Sequence, residues 1–401
     1  MVVKGFLRLS IALFLLLSPL SAAAGGVLWA RQWGTPAWDA AYAVSGGRIA
    51  GWTAGSMFAK NADVDAFVVS AGNGAGWQSG WKGLERAYAI ASDQNGYYWA
   101  GTAASGGGAM RSQTDAVIAR MDNENNLIWK RRLGGPLRDE GRALAPAPAG
   151  GVYLAGSGEG RIFTAGKGGR DVFVARFDSA GKQIWGVQWG GSNDDYLSAA
   201  APDGAGGVYL AGYSDVDEDC RRVSERGFLL RFSADGDLLW SYRWGYDAAT
   251  RPTALAGDKN GVWVAGATDG SLYADFAGGG RDVFVAFLSA KGELKIKAQW
   301  GSPAADIPHA AVLAAGRLYL AGATSGNLFA ENAGGYDAFV ASLSPKGLPL
   351  RGWQFGGSAG DEANAIGYDG ASLLVAGLSY GNIFSTNSGG SDAWAVSLSI
   401  R

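Results

Sequence analysis

A unit of about 55 residues repeats seven times along this chain, and no other feature of the sequence restricts the possible folds as strongly. Each unit contains an Ala-Gly step after an apolar run. Neighbouring steps lie between 50 residues apart (Gly51 to Gly101) and 56 residues apart (Gly156 to Gly212). The seven steps are Ala50-Gly51, Ala100-Gly101, Ala155-Gly156, Ala211-Gly212, Ala265-Gly266, Ala321-Gly322 and Ala376-Gly377. This regularity predicts a repeat architecture.

Two further motifs recur in the same register. An aspartate opens an apolar run in six units, and Gly227 takes its place in the remaining one. The six aspartates are Asp65, Asp115, Asp171, Asp282, Asp337 and Asp392. An aromatic pair with spacing i, i+4 is complete in four units, as Trp29/Trp33, Trp77/Trp81, Trp185/Trp189 and Trp240/Trp244. Residues i and i+4 of a strand point to one face, so we expect these rings to fill the contacts between units.

Each unit is predicted to form four short strands. In the third unit, a turn rich in Pro and Gly separates two short segments, Arg142 to Leu144 and Val152 to Ala155. An almost continuously apolar segment follows at Val172 to Phe177, and polar and apolar residues alternate from Gln183 to Trp189. Apolar runs without alternation indicate strands that are buried on both faces. The predicted fold class is therefore all-β: a seven-bladed β-propeller of four-stranded antiparallel blades.

The chain ends indicate how the ring closes. Residues 27–33 carry the fourth-strand motif with no strands before it, whereas residues 392–398 form a third strand with no fourth strand after it. We predict that these two segments pair, so that the N-terminal strand completes the last blade and leaves no open edge.

The repeated motifs resemble a known family. The segments "LYLAGATSGNLFAENAGGYDAFVASLSPKG" (Leu318 to Gly347) and "VYLAGSGEGRIFTAGKGGRDVFVARFDSAGKQIWGVQWGG" (Val152 to Gly191) are similar to the bacterial seven-bladed propeller repeat called the SBBP repeat. Apolar-Ala-Gly, Gly-Gly-x-Asp and Trp-Gly recur in register over the whole predicted ring. The resemblance implies a secreted or surface β-propeller of a bacterium, without an assigned chemical activity.

The first 24 residues are predicted to be a secretory signal peptide. Lys4 and Arg8 precede an apolar run from Leu9 to Leu20, and Ser21-Ala22-Ala23-Ala24 supplies the small residues of a cleavage site. The run is shorter than the roughly 20 residues that cross a bilayer, so we expect no transmembrane segment after cleavage. Residues 25–401 are then the propeller, a monomer secreted to the periplasm or the cell surface.

Composition excludes several function classes. With 34 Lys+Arg against 36 Asp+Glu, and no long run of positive charge, the chain is not predicted to bind nucleic acid. The single Cys220 excludes an intrachain disulfide and any Cys-rich zinc site, and the single His309 excludes every site that needs two imidazoles. We interpret His309 as a structural residue near the start of a strand. A free thiol at Cys220 without a neighbouring histidine is not predicted to be catalytic.

A ring of carboxylates near one face is the first candidate site. Five acids lie six residues beyond the tryptophan position and lead into the innermost strands: Asp39, Asp139, Asp195, Asp306 and Asp361. They are candidates for the mouth of a central funnel, where carboxylate oxygens would attract a hard cation such as Ca²⁺. The alternative is that each acid caps a turn. No other cofactor is predicted, and the identity of any metal stays unknown.

The second candidate site lies where the repeat breaks. Five loops between second and third strands carry an apolar-aromatic doublet: Met57-Phe58, Ile162-Phe163, Leu272-Tyr273, Leu328-Phe329 and Ile383-Phe384. The second unit has Gly107-Gly108 instead, and the fourth has an acidic and basic segment. Its candidate ligand-binding or partner-binding residues are Asp215, Asp217, Glu218, Asp219, Arg221 and Arg222. A partner-binding patch, an internal Asp–Arg network and a divalent-ion site are the open alternatives.

Two function classes follow. The first is an exported, non-catalytic propeller that binds a protein or a cell-envelope polymer through its long-loop face, the end at which the connections between strands two and three and between blades emerge. The second is an enzyme with its site in the central funnel. A carbohydrate-acting enzyme would need two carboxylates in an aromatic pocket, with Trp38 and Trp52 as candidate sugar platforms. A quinone-dependent enzyme is suggested by Phe177 to Trp185, which resembles repeat tails of pyrroloquinoline-quinone propellers.

Overall fold

The computed structural model describes residues 26–60, 63–79, 83–104, 113–164, 166–215, 225–245 and 248–400. These residues form seven four-stranded antiparallel sheets, which confirms the predicted seven-bladed propeller. A 3₁₀ turn at Pro148–Gly150 is the helical element among them. Within the described part of the chain, no helix is both long enough and apolar enough to cross a membrane.

The strands occupy four radial positions. The innermost strands of blades 1 to 7 are β2 (Asp39–Ser45), β6 (Glu85–Asp93), β10 (Asp139–Pro146), β14 (Asp195–Pro202), β18 (Thr250–Asp258), β22 (Asp306–Ala314) and β26 (Asp361–Tyr368). The second strands are β3 (Arg48–Thr53), β7 (Gly96–Ala104), β11 (Val152–Glu159), β15 (Val208–Asp215), β19 (Gly261–Thr268), β23 (Arg317–Thr324) and β27 (Ser372–Ser379). The third strands are β4 (Asp65–Ser70), β8 (Thr114–Met121), β12 (Arg170–Phe177), β16 (Glu225–Phe232), β20 (Asp282–Ser289), β24 (Asp337–Leu343) and β28 (Asp392–Ser399). The outermost strands are β5 (Gly76–Gln78), β9 (Leu127–Leu133), β13 (Gln183–Trp189), β17 (Leu238–Arg243), β21 (Leu294–Trp300), β25 (Pro349–Phe355) and, for blade 7, β1 (Val27–Trp33).

The ring closes as the sequence predicts. The innermost strands contact one another in cyclic order, from β2 through β6 to β26 and back to β2. β1 pairs antiparallel with β28, with Val27 opposite Leu398 and Trp33 opposite Ala393. The first strand of the chain thus supplies the outermost strand of the last blade. This pairing ties the two ends of the ring and covers the edge that β28 would otherwise expose.

The core is divided among the contacts between blades. Seven apolar clusters of described residues each join two neighbouring blades. Trp185 and Trp189 pack into the cluster between blades 3 and 4. The indole N–H of Trp185 also donates to the carbonyl oxygen of Ala234 in the next blade, at 2.8 Å. The prediction that the tryptophan pairs pack between units is confirmed for this pair, and the hydrogen bond fixes the spacing of the blades.

The glycine of each Ala-Gly step lies beside a β-bulge. In all seven blades the pairing of the innermost strand with the second strand skips one residue, as between Gly141 and Ala143 in blade 3. A Cβ atom built on Gly156 would lie 1.9 Å from the carbonyl oxygen of Glu140, which no real side chain tolerates. Glycine is therefore required here, because the bulged strand approaches the second strand too closely for a side chain.

A glutamine on the outermost strand holds the loop between strands two and three. In blade 3, Gln188 Nε2 donates to Asp171 Oδ2 at 2.9 Å, and Gln188 Oε1 accepts the main-chain N–H groups of Ile162 and Phe163 at 3.0 and 3.3 Å. The same bond to the third-strand aspartate is made by Gln32, Gln78, Gln299 and Gln354. Blades 2 and 4, which lack the apolar-aromatic doublet, carry Arg132 and Arg243 at this position. The two breaks in the loop pattern therefore coincide with the loss of the glutamine.

Candidate functional site

The bulges turn seven polar side chains toward the axis of the ring. The residue skipped by the pairing is the third after the start of each innermost strand, and it lines a central cavity in every blade. The seven residues, in blade order, are Tyr42, Tyr88, Arg142, Ser198, Thr253, His309 and Asn364. Each is at least partly accessible, although its strand is otherwise largely buried. A bulge re-aims a side chain without breaking the blade, and bulges are common next to active sites. We call these residues the bulge ring.

The cavity inside the bulge ring has a volume of about 370 Å³. Sites for small ligands typically range from about 300 to 1,000 Å³. The wall above the bulge ring is built from residues at the starts of innermost strands, such as Glu140, Tyr196 and Arg251, and at the end of β15, where Tyr213 lies. These strand ends belong to the long-loop face. The cavity therefore lies toward the long-loop face, where ligand binding is predicted from the sequence.

One side of the cavity combines two tyrosines with an arginine. The rings of Tyr42 and Tyr88 meet edge to face, with centroids 5.5 Å apart. The Arg142 guanidinium lies 4.7 Å from the centroid of the Tyr88 ring, within cation–π range. Arg142 Nε also lies 3.3 Å from the Glu140 carboxylate. We call Tyr42, Tyr88 and Arg142 the first wall.

A second wall is a stack of two tyrosines between two arginines. Tyr196 and Tyr213 are stacked, with centroids 5.0 Å apart and an interplanar angle of 16°. The Arg170 guanidinium lies 5.4 Å from the centre of the Tyr196 ring, and the Arg251 guanidinium lies 4.2 Å from that of Tyr213. Burial, together with the charges of Asp194 and Asp215, raises the pKa of Tyr196 to about 12, so its hydroxyl stays protonated. The Tyr196 hydroxyl donates to Asp194 at 3.2 Å, so this wall presents mainly aromatic faces and cations to the cavity.

The remaining part of the bulge ring is polar and uncharged. It consists of Ser198, Thr253, His309 and Asn364. Burial lowers the pKa of His309, which keeps its imidazole neutral near pH 7. Asn364 Nδ2 donates to the carbonyl oxygen of Ala41 at 3.1 Å and thereby links blades 7 and 1. The cavity thus has a cationic aromatic side and a neutral side that can exchange hydrogen bonds.

The five predicted funnel carboxylates lie at the starts of the innermost strands but point into the blades. Asp39, Asp139, Asp195, Asp306 and Asp361 have 0–2% of their surface exposed. In each case Oδ2 accepts the main-chain N–H of the residue four positions earlier, as with Gly357 and Asp361 at 2.7 Å. This is the geometry of the turn-capping alternative. Burial raises the pKa of all five acids and leaves them without a solvent-facing oxygen for a funnel ligand. Their role at the funnel mouth remains a prediction that this burial argues against.

Of the residues predicted in the fourth-blade loop, Asp215 is described. It is exposed, ends β15 and follows the cavity residue Tyr213 by two positions. Partial burial of its carboxyl group, followed by the charges of Glu225 and Asp194, raises its pKa. Asp217, Glu218, Asp219, Arg221 and Arg222 lie outside the described residues, as does Cys220. Among the residues that are described, no three His, Cys, Asp or Glu side chains come together as a metal site.

The sequence motifs do not predict the bulge ring. They point to the buried acid at the start of most innermost strands and not to the residue three positions later. His309 was interpreted as a structural residue, but it belongs to the bulge ring and lines the cavity. A signal was present: this position changes from Tyr to Arg, Ser, Thr, His and Asn, while the residues on either side are mostly small or apolar. Only the bulge shows which way these side chains point.

Solved structures support the fold at low sequence identity. The polysaccharide lyase Uly1 is similar over 92% of this chain and 90% of its own length, with a TM-score of 0.53 and 10% identity. The WD40 β-propeller domain of Doa1 is similar over 94% of this chain and 97% of that domain, with a TM-score of 0.52 and 8% identity. At such identities the likeness shows the propeller fold alone.

Sequence comparisons reach only part of the chain. No protein-family model matches it, so the similarity to the SBBP repeat rests on the motifs. The regulatory protein FlaEY of Caulobacter vibrioides is 31% identical over 120 residues, a match that covers 28% of this chain and 13% of that protein. The match thus extends over a small part of a much longer relative. It does not transfer a role to this chain.

Proposed function

We propose that this chain is an exported, non-catalytic binding propeller that takes part of a cell-envelope polymer into its central cavity from the long-loop face. The observation that carries the proposal is the bulge ring. Every blade uses a bulge and a glycine to aim one polar side chain at the same cavity, and the seven side chains differ in chemistry. A purely structural position in a repeat would favour one residue type.

The chemistry of the cavity favours binding over hydrolysis. Two-carboxylate glycoside hydrolysis needs two acids about 5 to 10 Å apart. Among the described residues that line the cavity, Glu140 is the single carboxylate. It lies 3.3 Å from Arg142 and 3.9 Å from Arg170. Glu140 is thus engaged by arginines and lacks the second lining carboxylate that this chemistry needs.

Export is part of the proposal because the N-terminal segment has the pattern of a signal peptide. A basic start, an apolar run to Leu20 and the small residues up to Ala24 precede the first strand. The test is N-terminal sequencing of the mature protein from the native cell envelope. Cleavage after Ala24 supports export, and an intact Met1 in the cytoplasmic fraction contradicts it.

Ligand binding is tested with purified mature protein, residues 25–401, and immobilised envelope polymer from the native bacterium. Three variants are compared with wild type: Tyr88→Ala/Arg142→Gln in the cavity, Asp215→Ala/Asp217→Ala/Asp219→Ala in the fourth-blade loop, and Arg131→Gln as a control. Arg131 is exposed on the outermost strand β9, so its replacement removes the same charge far from the cavity.

The proposal predicts that the cavity variant loses binding while the Arg131→Gln variant retains it. Loss in the loop variant as well would place the fourth-blade loop in the binding face. If all variants bind as wild type does, the cavity is not the binding site and the proposal is wrong. Equal melting temperatures of the variants exclude unfolding as the cause of any loss.

A further inference from the structure

We propose that the cavity binds the carboxylated sugar ring of an acidic polysaccharide, a hexuronic acid residue; this inference rests on the proposed function and names its ligand class. The cavity is large enough for a small ligand and combines a cationic side, aromatic walls and a neutral polar side. A hexuronic acid residue carries the complementary groups: one carboxylate, apolar C–H faces and several hydroxyls.

The arginines of the cavity lining favour an anionic ligand. The described lining contains Arg142, Arg170 and Arg251 and the single carboxylate of Glu140. Two further carboxylates, Glu159 and Glu225, pair with Arg170 and Arg251 but do not line the cavity. Guanidinium groups that reach a concave, partly buried site attract a carboxylate more strongly than fully exposed ones do, because solvent screens them less. The lining therefore presents more cationic than anionic groups to a ligand.

Glu140 shows that a carboxylate fits between the arginines. Its oxygens lie 3.3 Å from Arg142 Nε and 3.9 Å from Arg170 Nη1. Charge-assisted hydrogen bonds between such groups are usually about 2.7 to 2.9 Å long, so these contacts are loose. Arg170 makes its shorter contact with Glu159, at 3.0 Å. A second carboxylate, supplied by a ligand, can therefore approach the remaining N–H groups of these arginines without displacing a tight ion pair.

The arginines are held in place before a ligand arrives. Arg142 lies over Tyr88, Arg170 over Tyr196 and Arg251 over Tyr213, at 4.7, 5.4 and 4.2 Å from the ring centres. Arg251 is also paired with Glu225, which pairs in turn with Arg281 at 3.1 Å. A guanidinium that is already packed loses less side-chain entropy when it binds a carboxylate. The planar fork of arginine suits a carboxylate better than a single point charge would.

The neutral side of the cavity distinguishes a sugar from a simple anion. Ser198, Thr253 and Asn364 bring hydroxyl and amide groups to the lining, and His309 adds a neutral imidazole whose Nδ1 is buried. Sugar hydroxyls can both donate to and accept from such groups, whereas an inorganic anion offers chiefly acceptor oxygens. The four tyrosines Tyr42, Tyr88, Tyr196 and Tyr213 add aromatic surface for the C–H face of a ring.

The test compares acidic oligosaccharides with their neutral, carboxyl-reduced counterparts. Tetramers of galacturonate, glucuronate and mannuronate are titrated into the mature protein by isothermal calorimetry, each beside the same tetramer with its carboxylates reduced to CH₂OH. Reduction keeps the sugar stereochemistry and replaces each carboxylate with a neutral hydroxymethyl group. Inorganic phosphate serves as an anion without a sugar ring. We expect at least one uronate tetramer to bind more tightly than both its reduced form and phosphate.

The variants connect the binding to the cavity. Arg142→Gln should weaken binding of that uronate about tenfold or more, as expected for loss of a charge-assisted hydrogen bond, and Arg131→Gln should leave it unchanged. Tyr196→Leu should weaken it as well by removing the aromatic stack. Binding should also weaken as salt is raised, because the main attraction is between charges.

Three results would overturn the inference. The first is that no uronate binds more tightly than its reduced form; the second is that phosphate binds as tightly as the uronate; the third is that Arg142→Gln binds the uronate as wild type does. If any of these occurs while envelope-polymer binding still depends on the cavity, the ligand class is wrong and the proposed function stands. If envelope binding is also independent of the cavity, both are wrong.

Discussion

Replacing Asp361 with asparagine should stabilise the propeller at alkaline pH and not at acidic pH. Asp361 is fully buried, and its carboxyl group bonds the main-chain N–H of Gly357 and the side chain of Ser379. Burial, more than the nearby charge of Asp337, raises its pKa from 3.8 to about 6. The folded state therefore holds this proton more tightly than the unfolded state does. The protonated Asp361 carboxyl group therefore makes a favourable contribution to the free energy of unfolding. This contribution is complete below about pH 4 and is lost as the pH rises through about 6.

The magnitude follows from the shift. A change of about two pKa units corresponds to about 3 kcal/mol at about 1.4 kcal/mol per unit, which is the upper limit of the cost of ionising Asp361 in the fold. Asparagine is neutral at every pH, and its Oδ1 can still accept the main-chain N–H of Gly357, which Asp361 binds at 2.7 Å. Allowing for a weaker bond to Ser379, we expect a gain of about 1 to 2 kcal/mol at pH 8.

The assay is equilibrium unfolding in urea at pH 4.5 and pH 8, for wild type and Asp361→Asn. The free energy of unfolding should be higher for the variant at pH 8, and the difference should disappear or reverse at pH 4.5. Asp369→Asn is the control with the opposite sign, because the main-chain N–H of Ser372 lowers the pKa of Asp369. That variant should lose stability at pH 8. If Asp361→Asn destabilises the protein equally at both pH values, Asp361 is ordinarily ionised in the fold and the reasoning is wrong.

Three further predictions concern the frame that carries the cavity. Gly156→Ala should destabilise the ring by about 2 to 3 kcal/mol in urea unfolding, because the new Cβ would lie 1.9 Å from a carbonyl oxygen. Gly191→Ala is the control and should be neutral, because no atom lies within 4 Å of its new Cβ. Gln188→Leu should cost about 3 kcal/mol and speed hydrogen exchange at Ile162 and Phe163, since it leaves these two main-chain N–H groups without their partner and removes one of the hydrogen bonds to Asp171. Unchanged exchange would show that the glutamine does not hold the loop. Deleting residues 25–34 removes the outermost strand of blade 7 and should lower the melting temperature by roughly 5 °C or more, and an unchanged melting temperature would contradict closure through β1.

The sequence was sufficient to predict the fold because the repeat carries the same information seven times. One unit with an Ala-Gly step, a Gly-Gly-x-Asp turn and a tryptophan pair is weak evidence, but seven units in register predict seven similar blades. The unpaired motifs at the two ends also predicted the pairing of residues 27–33 with residues 392–398, which the structure confirms. Both predictions depend on local periodicity and on the need to bury strand edges, and a sequence records these directly.

The positions of the acids were predictable only in part. Asp361 and its equivalents were found by their spacing from the tryptophans, and turn capping was one of the two interpretations. Whether such a carboxylate faces solvent or the inside of a blade depends on the loop that packs beside it. For Asp361 this is the loop that brings the main-chain N–H of Gly357 to the carboxylate. The structure places them inside the blades, where burial raises their pKa.

What the sequence by itself determined is the number of blades, their strand content and the closure of the ring, because each follows from a pattern that recurs along the chain. What only the tertiary structure decided is the cavity. Tyr42, Arg142 and His309 come from different blades and share no sequence motif, and they meet because a bulge in each innermost strand turns one side chain toward the axis. A bulge changes the direction of a side chain without changing the amino-acid composition of the strand, so its effect becomes visible only when the strands are paired.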